Sequence, residues 1–357
     1  MSAPFEVPSQ EPVAPRPERP KRVSAAALAR SLGISAAAVS YALRGRPGVS
    51  DELRQTILAE ARKAGIPIPS EEAGDARLPT IGLVLANVGN PFYSEFAVSL
   101  SDIARAQQCE VLLSTTQDLQ QSVESTVRTF ADRGIQGLVI TSLDSMDGAI
   151  AQVLRTAKIP FVLVSRRWAH IDADFVGIDD YTAGRDAMAH LLGHAPSRVG
   201  ILAGPRTSTA SQARLRGYVD ELDEHGLSAD SHLIVRANLN FEDGQGAAGY
   251  FLSTPQRPDA VICGSDTMAL GLIQGLARHG VRVPQDIAVM GFDGLAMGVM
   301  ADLTTIIQPR AEMAKAAFDL LIQRRQDPTL PPRTVICTHS LRRGATCGCL
   351  TTKDTPP

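Results

Sequence analysis

The sequence predicts an α/β protein in two parts: a small all-α helix-turn-helix head, followed by a pair of doubly wound parallel-sheet subdomains. Three observations predict this class. From Thr80 onward, short apolar runs alternate with helical stretches. Those runs are almost continuously apolar, as strands covered by helices on both faces require, and they outnumber the strands of one small sheet. The N-terminal segment differs in kind, being short, helical and basic.

A chain of 357 residues can bury a large core and hold two or three structural units. Hydrophobic content of 44% with 20% charged residues is that of a soluble globular protein. No apolar run approaches the ~18 residues that a membrane span needs. The opening MSAPFEVPSQEPVAPRPERPKR has no apolar core of the kind a secretory signal carries. Five cysteines, an odd number without paired zinc-like spacing, point to a reduced, cytoplasmic protein. Cys347-Gly348-Cys349 could bind a soft metal but reads as an incidental tail pair, and His170, His190, His194 and His225 show no partner spacing. Neither a metal, a cofactor nor a catalytic triad is expected.

Net charge is −3, but it is unevenly divided. Lys21 to Pro69 holds eight basic residues (Lys21, Arg22, Arg30, Arg44, Arg46, Arg54, Arg62, Lys63) against Asp51, Glu52 and Glu60, a net +5 that leaves −8 for the remainder. A basic head on an acidic body suits a polyanionic partner for the head alone.

In chain order, residues 1–20 hold six prolines and few large apolar residues, the composition of an extended arm. Residues 21–66 form the head. Ser24 caps a first helix ended by Gly33, Ser35 caps a second over AAAVSYALR, and Ser50 caps a third. Ala29 permits close helix approach, Gly33 makes the turn and Val39 fills the space between the helices. Leu28, Leu32, Ile34, Leu43, Leu53 and Ile57 complete the core. Residues 67–79 are a linker. The strand runs that follow are TIGLVLA, EVLLST, GLVITS, PFVLVS, RVGILAG, HLIVRA, DAVICGS and IAVMGFD, with helices at Tyr93–Gln108 and Met268–His279 among them.

The head, LARSLGISAAAVSYALRGRPGVSDELRQTIL, resembles in register that of the LacI/GalR (lactose-repressor) family. So do later segments: NPFYSEF, GPRTSTASQARLRGY, CGSDTMALG, VRVPQDIAVMGFDG and LTTIIQP. The resemblance covers Val23 to about Cys347. It implies a periplasmic-binding-protein-like body, 80–345, with an N-subdomain at about 80–178 plus 309–327, a C-subdomain at about 179–308 plus 333–345, and a tail over 346–357. It implies a bacterial DNA-binding regulator, most simply a repressor, that binds double-stranded operator DNA as a homodimer and answers to a small-molecule effector.

By the same resemblance Ala36, Ala37 and Tyr41 meet base edges, Ser35 and Ser40 anchor the register, and Arg44 and Arg46 reach phosphates. Alanine methyls can meet the thymine methyl, so hydrogen-bonding readout falls on Tyr41. The linker departs from the family: it is short, has no leucine between Leu58 and Leu78, and carries Glu71, Glu72 and Asp75, so the usual minor-groove wedge is not expected. For the effector, Phe92, Tyr93, Ser142, Ser165, Arg214, Leu239, Ser265 and Asp293 occupy the family's ligand positions. Arg214 is read as a fork donor and Asp293 as an acceptor from hydroxyls. A carbohydrate is the default ligand. Leu239 in place of a stacking aromatic, and Ser165 in place of an acid, keep a nucleoside or another metabolite open. Gly244-Gln-Gly246-Ala-Ala-Gly249 matches the dinucleotide fingerprint GxGxxG, which leaves an NAD-binding enzyme as a remote alternative. The tail lacks leucine heptads, so a dimer is expected and a coiled-coil tetramer is not.

Overall fold

The computed structural model describes residues 25–43, 48–64, 79–87, 89–116, 119–141, 148–167 and 171–349. The proline-rich arm, nearly all of the linker, Arg44, Arg46, Ser142 and the end of the tail lie outside the described residues. The chain divides into two compact units, 1–77 and 78–357.

The first unit contains α1 (Ala25–Ser31), α2 (Ala36–Leu43) and α3 (Asp51–Lys63). Gly33 takes φ 66° between α1 and α2, a conformation that only glycine adopts at little cost. Ser35 Oγ accepts from Ala38 N–H at 3.1 Å and so supplies the cap that α2 needs. Ser50 does the same for Leu53 at the start of α3. Leu28, Ala29, Val39, Ala42, Ile57 and Ala61 are buried together, and Leu32, Ile34, Leu43, Val49 and Leu53 close around them. Removing the Ser35 hydroxyl (Ser35→Ala) should lower head stability by about 1 kcal/mol, measurable as an earlier melt of the isolated head signal in hydrogen exchange.

The second unit holds two six-stranded sheets. The first has the order β11-β5-β4-β3-β1-β2: β1 (Thr80–Leu85), β2 (Glu110–Thr115), β3 (Leu138–Ile140), β4 (Phe161–Val164), β5 (Asp174–Gly177) and β11 (Thr334–Ile336), all parallel. The second has the order β12-β10-β9-β8-β6-β7: β6 (Val199–Ala203), β7 (Ile234–Arg236), β8 (Ala260–Cys263), β9 (Ala288–Asp293), β10 (Thr304–Ile307) and an antiparallel β12 (Ser340–Arg342). In each sheet the order reverses beside the first strand, β1 or β6. Such a switch point opens a crevice at the carboxyl ends of the strands, where ligands of these sheets bind.

The eight expected strand runs all form strands, with trimmed ends. One assignment changes. The expected C-subdomain includes 333–345, yet β11 pairs with β5 in the first sheet. The last crossing falls between Ile336 and Ser340. Asp174 explains why β11 is drawn there: its buried carboxylate accepts from Arg333 N–H at 2.8 Å and from both Arg324 Nε and Arg324 NH2 at 3.0 Å. Burial opposes that charge, but the hydrogen bonds from Arg324 and Arg333 outweigh it and hold the carboxyl below its usual range. Arg324 belongs to α12 (Arg310–Gln326), so one carboxylate ties the returning helix and strand to β5.

Two helices of the second subdomain position the site described below: α7 (Asp180–Leu192) and α8 (Thr209–Glu224). They touch backbone to backbone. A Cβ on Gly184 would lie 2.6 Å from Arg214 O, and one on Gly217 would lie 2.3 Å from Tyr181 O. Gly217→Ala should therefore force the pair apart and cost about 1–3 kcal/mol, read as a lower urea midpoint of the body with an unchanged slope.

Candidate operator-reading head and effector cleft

On the head, Ser35, Ala36 and Ala37 are exposed at the start of α2, Ser40 is half-buried, and Tyr41 is 42% exposed one turn further on. Gly48 takes φ 115°, and a side chain there would meet the Tyr41 ring at 3.4 Å. The Tyr41 phenol is open to a partner. Ser35 Oγ is an acceptor for Ala38 N–H, which leaves its hydroxyl proton for an outside acceptor such as a phosphate oxygen.

In the body, Arg214 is buried on α8 and has Asp180, Asp293 and Phe292 around it. Its Nε donates to Asp180 Oδ1 at 2.8 Å and its NH1 donates to Gly264 O at 3.0 Å. Its guanidinium lies over the Phe292 ring, 3.7 Å from the centroid. Asp293, at the carboxyl end of β9, is 3.6 Å from NH1, so Asp293 is the second carboxylate and Asp180 the first. Burial disfavours the Arg214 charge, but Asp180 and Asp293 more than offset it and raise its pKa. Burial raises Asp180 as well, against the pull of Arg214, and pushes Asp293 up to about 6. A single guanidinium does not neutralise two buried acids.

Asp293 is held in an unusual state. Its φ is 120°, a strained region for a non-glycine residue that tends to occur at functional positions. Its Oδ1 accepts from Gln308 Nε2 at 2.7 Å, and its carbonyl accepts from Arg310 NH1. Its Oδ2 is buried and has no hydrogen-bond partner among the described residues. Arg310, from α12, also donates to Gly294 O at 2.8 Å and pairs at 2.8 Å with Glu95 on α4 (Pro91–Ala106) of the first subdomain. Glu95 Oε1 in turn accepts from Ala296 N–H, so this network bridges the two subdomains beside the crevice.

Other expected ligand residues have different surroundings. Phe92 and Tyr93 open α4 behind the Asn90 cap and are buried edge to face, with the Tyr93 hydroxyl accepting from Arg166 at 3.0 Å. Ser165 turns the chain out of β4 at φ 68° and is buried. Ser265 is fully buried, and its Oγ accepts from Met268 N–H as the cap of α10 (Asp266–Arg278). Leu239 packs against the core of the second sheet, which is why no aromatic platform stands there. Ser142, the remaining expected residue, lies outside the described residues. Asp180, Gln308, Arg310 and Arg166 were missed because no local spacing links them to Arg214 or Tyr93. The glycine fingerprint has a structural explanation. Gly244, Gly246 and Gly249 sit inside α9 (Phe241–Ser253), where a Cβ on Gly244 would lie 2.2 Å from Met268 O of α10. Helix packing, not a strand-to-helix phosphate turn, requires that glycine.

The family model described as periplasmic binding proteins and sugar binding domain of the LacI family matches residues 78–343. This chain belongs to the LacI family. It is a transcriptional regulator and not an enzyme. Among its relatives, the ribose operon repressor of Haemophilus influenzae is 29% identical over 87% of this chain and 94% of its own length. The HTH-type transcriptional repressor CytR of Escherichia coli (strain K12) is 31% identical over 82% and 87%. A complex of the transcriptional regulator CelR with cellobiose superposes with a TM-score of 0.70 at 25% identity, covering 91% of this chain and 100% of that one. A LacI-family regulator from Enterococcus faecium with bound ribose gives 0.67 at 25% identity, covering 75% and 98%. No helix among the described residues is long and apolar enough to cross a membrane.

One further buried acid sits behind the crevice. Asp266 accepts from Thr305 Oγ1 at 2.5 Å and from Leu295 N–H at 2.6 Å, yet burial, reinforced by the charge of Asp293, pushes its carboxyl up to about 8. A carboxyl raised in the folded state binds more protons there than when unfolded, so the stability it contributes is complete below its unfolded value near 3.9 and is lost as pH rises through about 8. Thermal unfolding between pH 5 and 9 should show the midpoint falling with pH, and Asp266→Asn should flatten that slope.

Proposed function

We propose that this LacI-family repressor reads double-stranded operator DNA through α2 and is switched by a small hydroxyl-bearing effector bound in the crevice around Arg214 and Asp293. The observation that carries the effector reading is Asp293 Oδ2, a buried acceptor without a partner among the described residues, at the carboxyl end of a strand beside a topological switch. A hydroxyl donor would satisfy it. Arg214, fixed by Asp180 and Phe292, would supply the facing positive charge. A sugar is the favoured class, supported by relatives named for ribose and by neighbours holding cellobiose and ribose. A nucleoside is the second reading, left open by Leu239 in place of a stacking aromatic and by Ser165 in place of an acid.

At the operator, exposed Ala36 and Ala37 would lie against base methyls, with Tyr41 as the hydrogen-bonding reader. Ser35 and Ser40 would fix register, and Arg44 and Arg46 would reach phosphates. A homodimer is supported by the apolar side chains of Val98, Leu113 and Leu119, exposed on and beside α4 and the edge strand β2. The protein would act in the bacterial cytoplasm. Effector and operator affinities are linked reciprocally, so a ligand that prefers one arrangement of the subdomains changes operator affinity by the same factor in either direction.

The test is operator binding by the purified protein, using fragments upstream of its own gene, with and without sugars and nucleosides. Tyr41→Ala should reduce operator affinity more than random-DNA affinity, and an equal loss on both would reduce Tyr41 to an anchor. Asp293→Ala should weaken the effector by at least about tenfold while leaving operator affinity in its absence unchanged. An unaltered effector titration would remove Asp293 from the site.

A further inference from the structure

Sequence spacing gives His190 and His194 no partners and makes Cys347-Gly348-Cys349 look like an incidental pair. The fold brings all four together. His190 is in the last turn of α7, and His194 follows its C-terminus, so the two imidazoles occupy one face at i and i+4. Cys347 ends a 3₁₀ turn over Ala345–Cys347 that leads out of β12. Gly348 then takes φ 87°, a left-handed turn that brings the flanking Cys349 back beside Cys347. The two Sγ atoms are 3.2 Å apart, and all five cysteines of the chain are free. Cys347 Sγ lies 3.4 Å from His190 Nε2 and 3.5 Å from His194 Nε2. Cys349 Sγ lies 3.3 Å and 3.5 Å from the same two atoms. The four donor atoms all lie within 4.8 Å of one another.

These lengths are informative. Zinc bonds to sulfur at about 2.3 Å and to imidazole nitrogen at about 2.0–2.1 Å, so a tetrahedral centre has sulfur–nitrogen edges of about 3.6 Å and a sulfur–sulfur edge of about 3.8 Å. The four sulfur–nitrogen distances match those edges within a few tenths of an ångström, and the sulfur–sulfur distance is shorter by somewhat more. Ordinary packing has no reason to converge four soft donors with their lone-pair atoms inward. A hydroxyl also backs the set: Thr304 Oγ1 is 3.0 Å from Cys347 Sγ, and its one proton can turn to a thiolate there or to Gly344 O at 2.9 Å. Cys347 is buried and Cys349 and His190 are half-buried, while His194 is exposed, so an ion would have a path of entry.

We infer that His190, His194, Cys347 and Cys349 form a structural Cys₂His₂ zinc site that clamps the C-terminal segment onto the end of α7. A donor set of two thiolates and two imidazoles selects zinc over the harder divalent ions. Four protein ligands leave no open position, which makes the site structural and not catalytic. The clamp stands at the opposite end of α7 from Asp180, the partner of Arg214.

Metal analysis of the full-length chain, purified without chelator or affinity metal, tests this. Expected is about one zinc per chain, a cobalt-substituted form with thiolate-to-metal charge-transfer and tetrahedral ligand-field bands, and a lower thermal midpoint after chelation. Cys347→Ser with Cys349→Ser should lose the zinc, and so should His190→Gln in a chain whose circular dichroism is unchanged. Chain free of zinc even after refolding with zinc sulfate would overturn the assignment. So would zinc retained by the double-serine variant, a cobalt spectrum without the sulfur band, or copper or iron in place of zinc.

Discussion

A guanidinium buried between two layers of helix and sheet is the constraint around which the second subdomain is organised. Removing one charge from water is costly unless it is paired and its donors are filled. Arg214 meets that demand with Asp180 from the start of the neighbouring helix, Gly264 O from a strand end, and the face of Phe292. The pairing needs the two helices to be close enough for short side chains to meet. Gly184 and Gly217 allow it by letting backbone rest on backbone. Asp293 is then the acid left over, strained at its own backbone and only half-satisfied at its carboxylate.

What was legible in the sequence follows from which forces are local. Strands such as TIGLVLA and DAVICGS were readable because burial on both faces demands a continuous apolar run. β11 and β12 were not, being three-residue edge strands of TVI and SLR whose places are set by Asp174 and by pairing with β10. The head was readable because Ala29, Gly33, Val39 and the capping serines act within a few residues of one another. Resemblance to the LacI family singles out Arg214 and Asp293, but Asp180 lies 34 residues from Arg214 and no spacing connects them. The histidine pair had a visible signal, two imidazoles four residues apart at the end of a helix. Its complement lay more than 150 residues further on, at a distance only the tertiary fold closes.

The head and the body solve opposite problems with the same residue classes. On α2, small side chains are kept outside, and the largest exposed group is Tyr41. Methyl groups there cost nothing to desolvate, so close approach to another surface is favourable even without hydrogen bonds. In the body, small residues are turned inward to let helices meet, and the polar groups converge on one crevice.

The unfilled oxygen of Asp293 sets the kind of selectivity such a crevice can have. Hydrocarbon size is a weak discriminator, since one methylene changes binding by only about 1–3 kcal/mol. A buried acceptor that must find a donor is a stronger one, because a compound matching the shape but lacking the donor leaves that oxygen dry and unpaired. Deoxy analogues, not larger homologues, would therefore be the compounds this protein rejects most sharply.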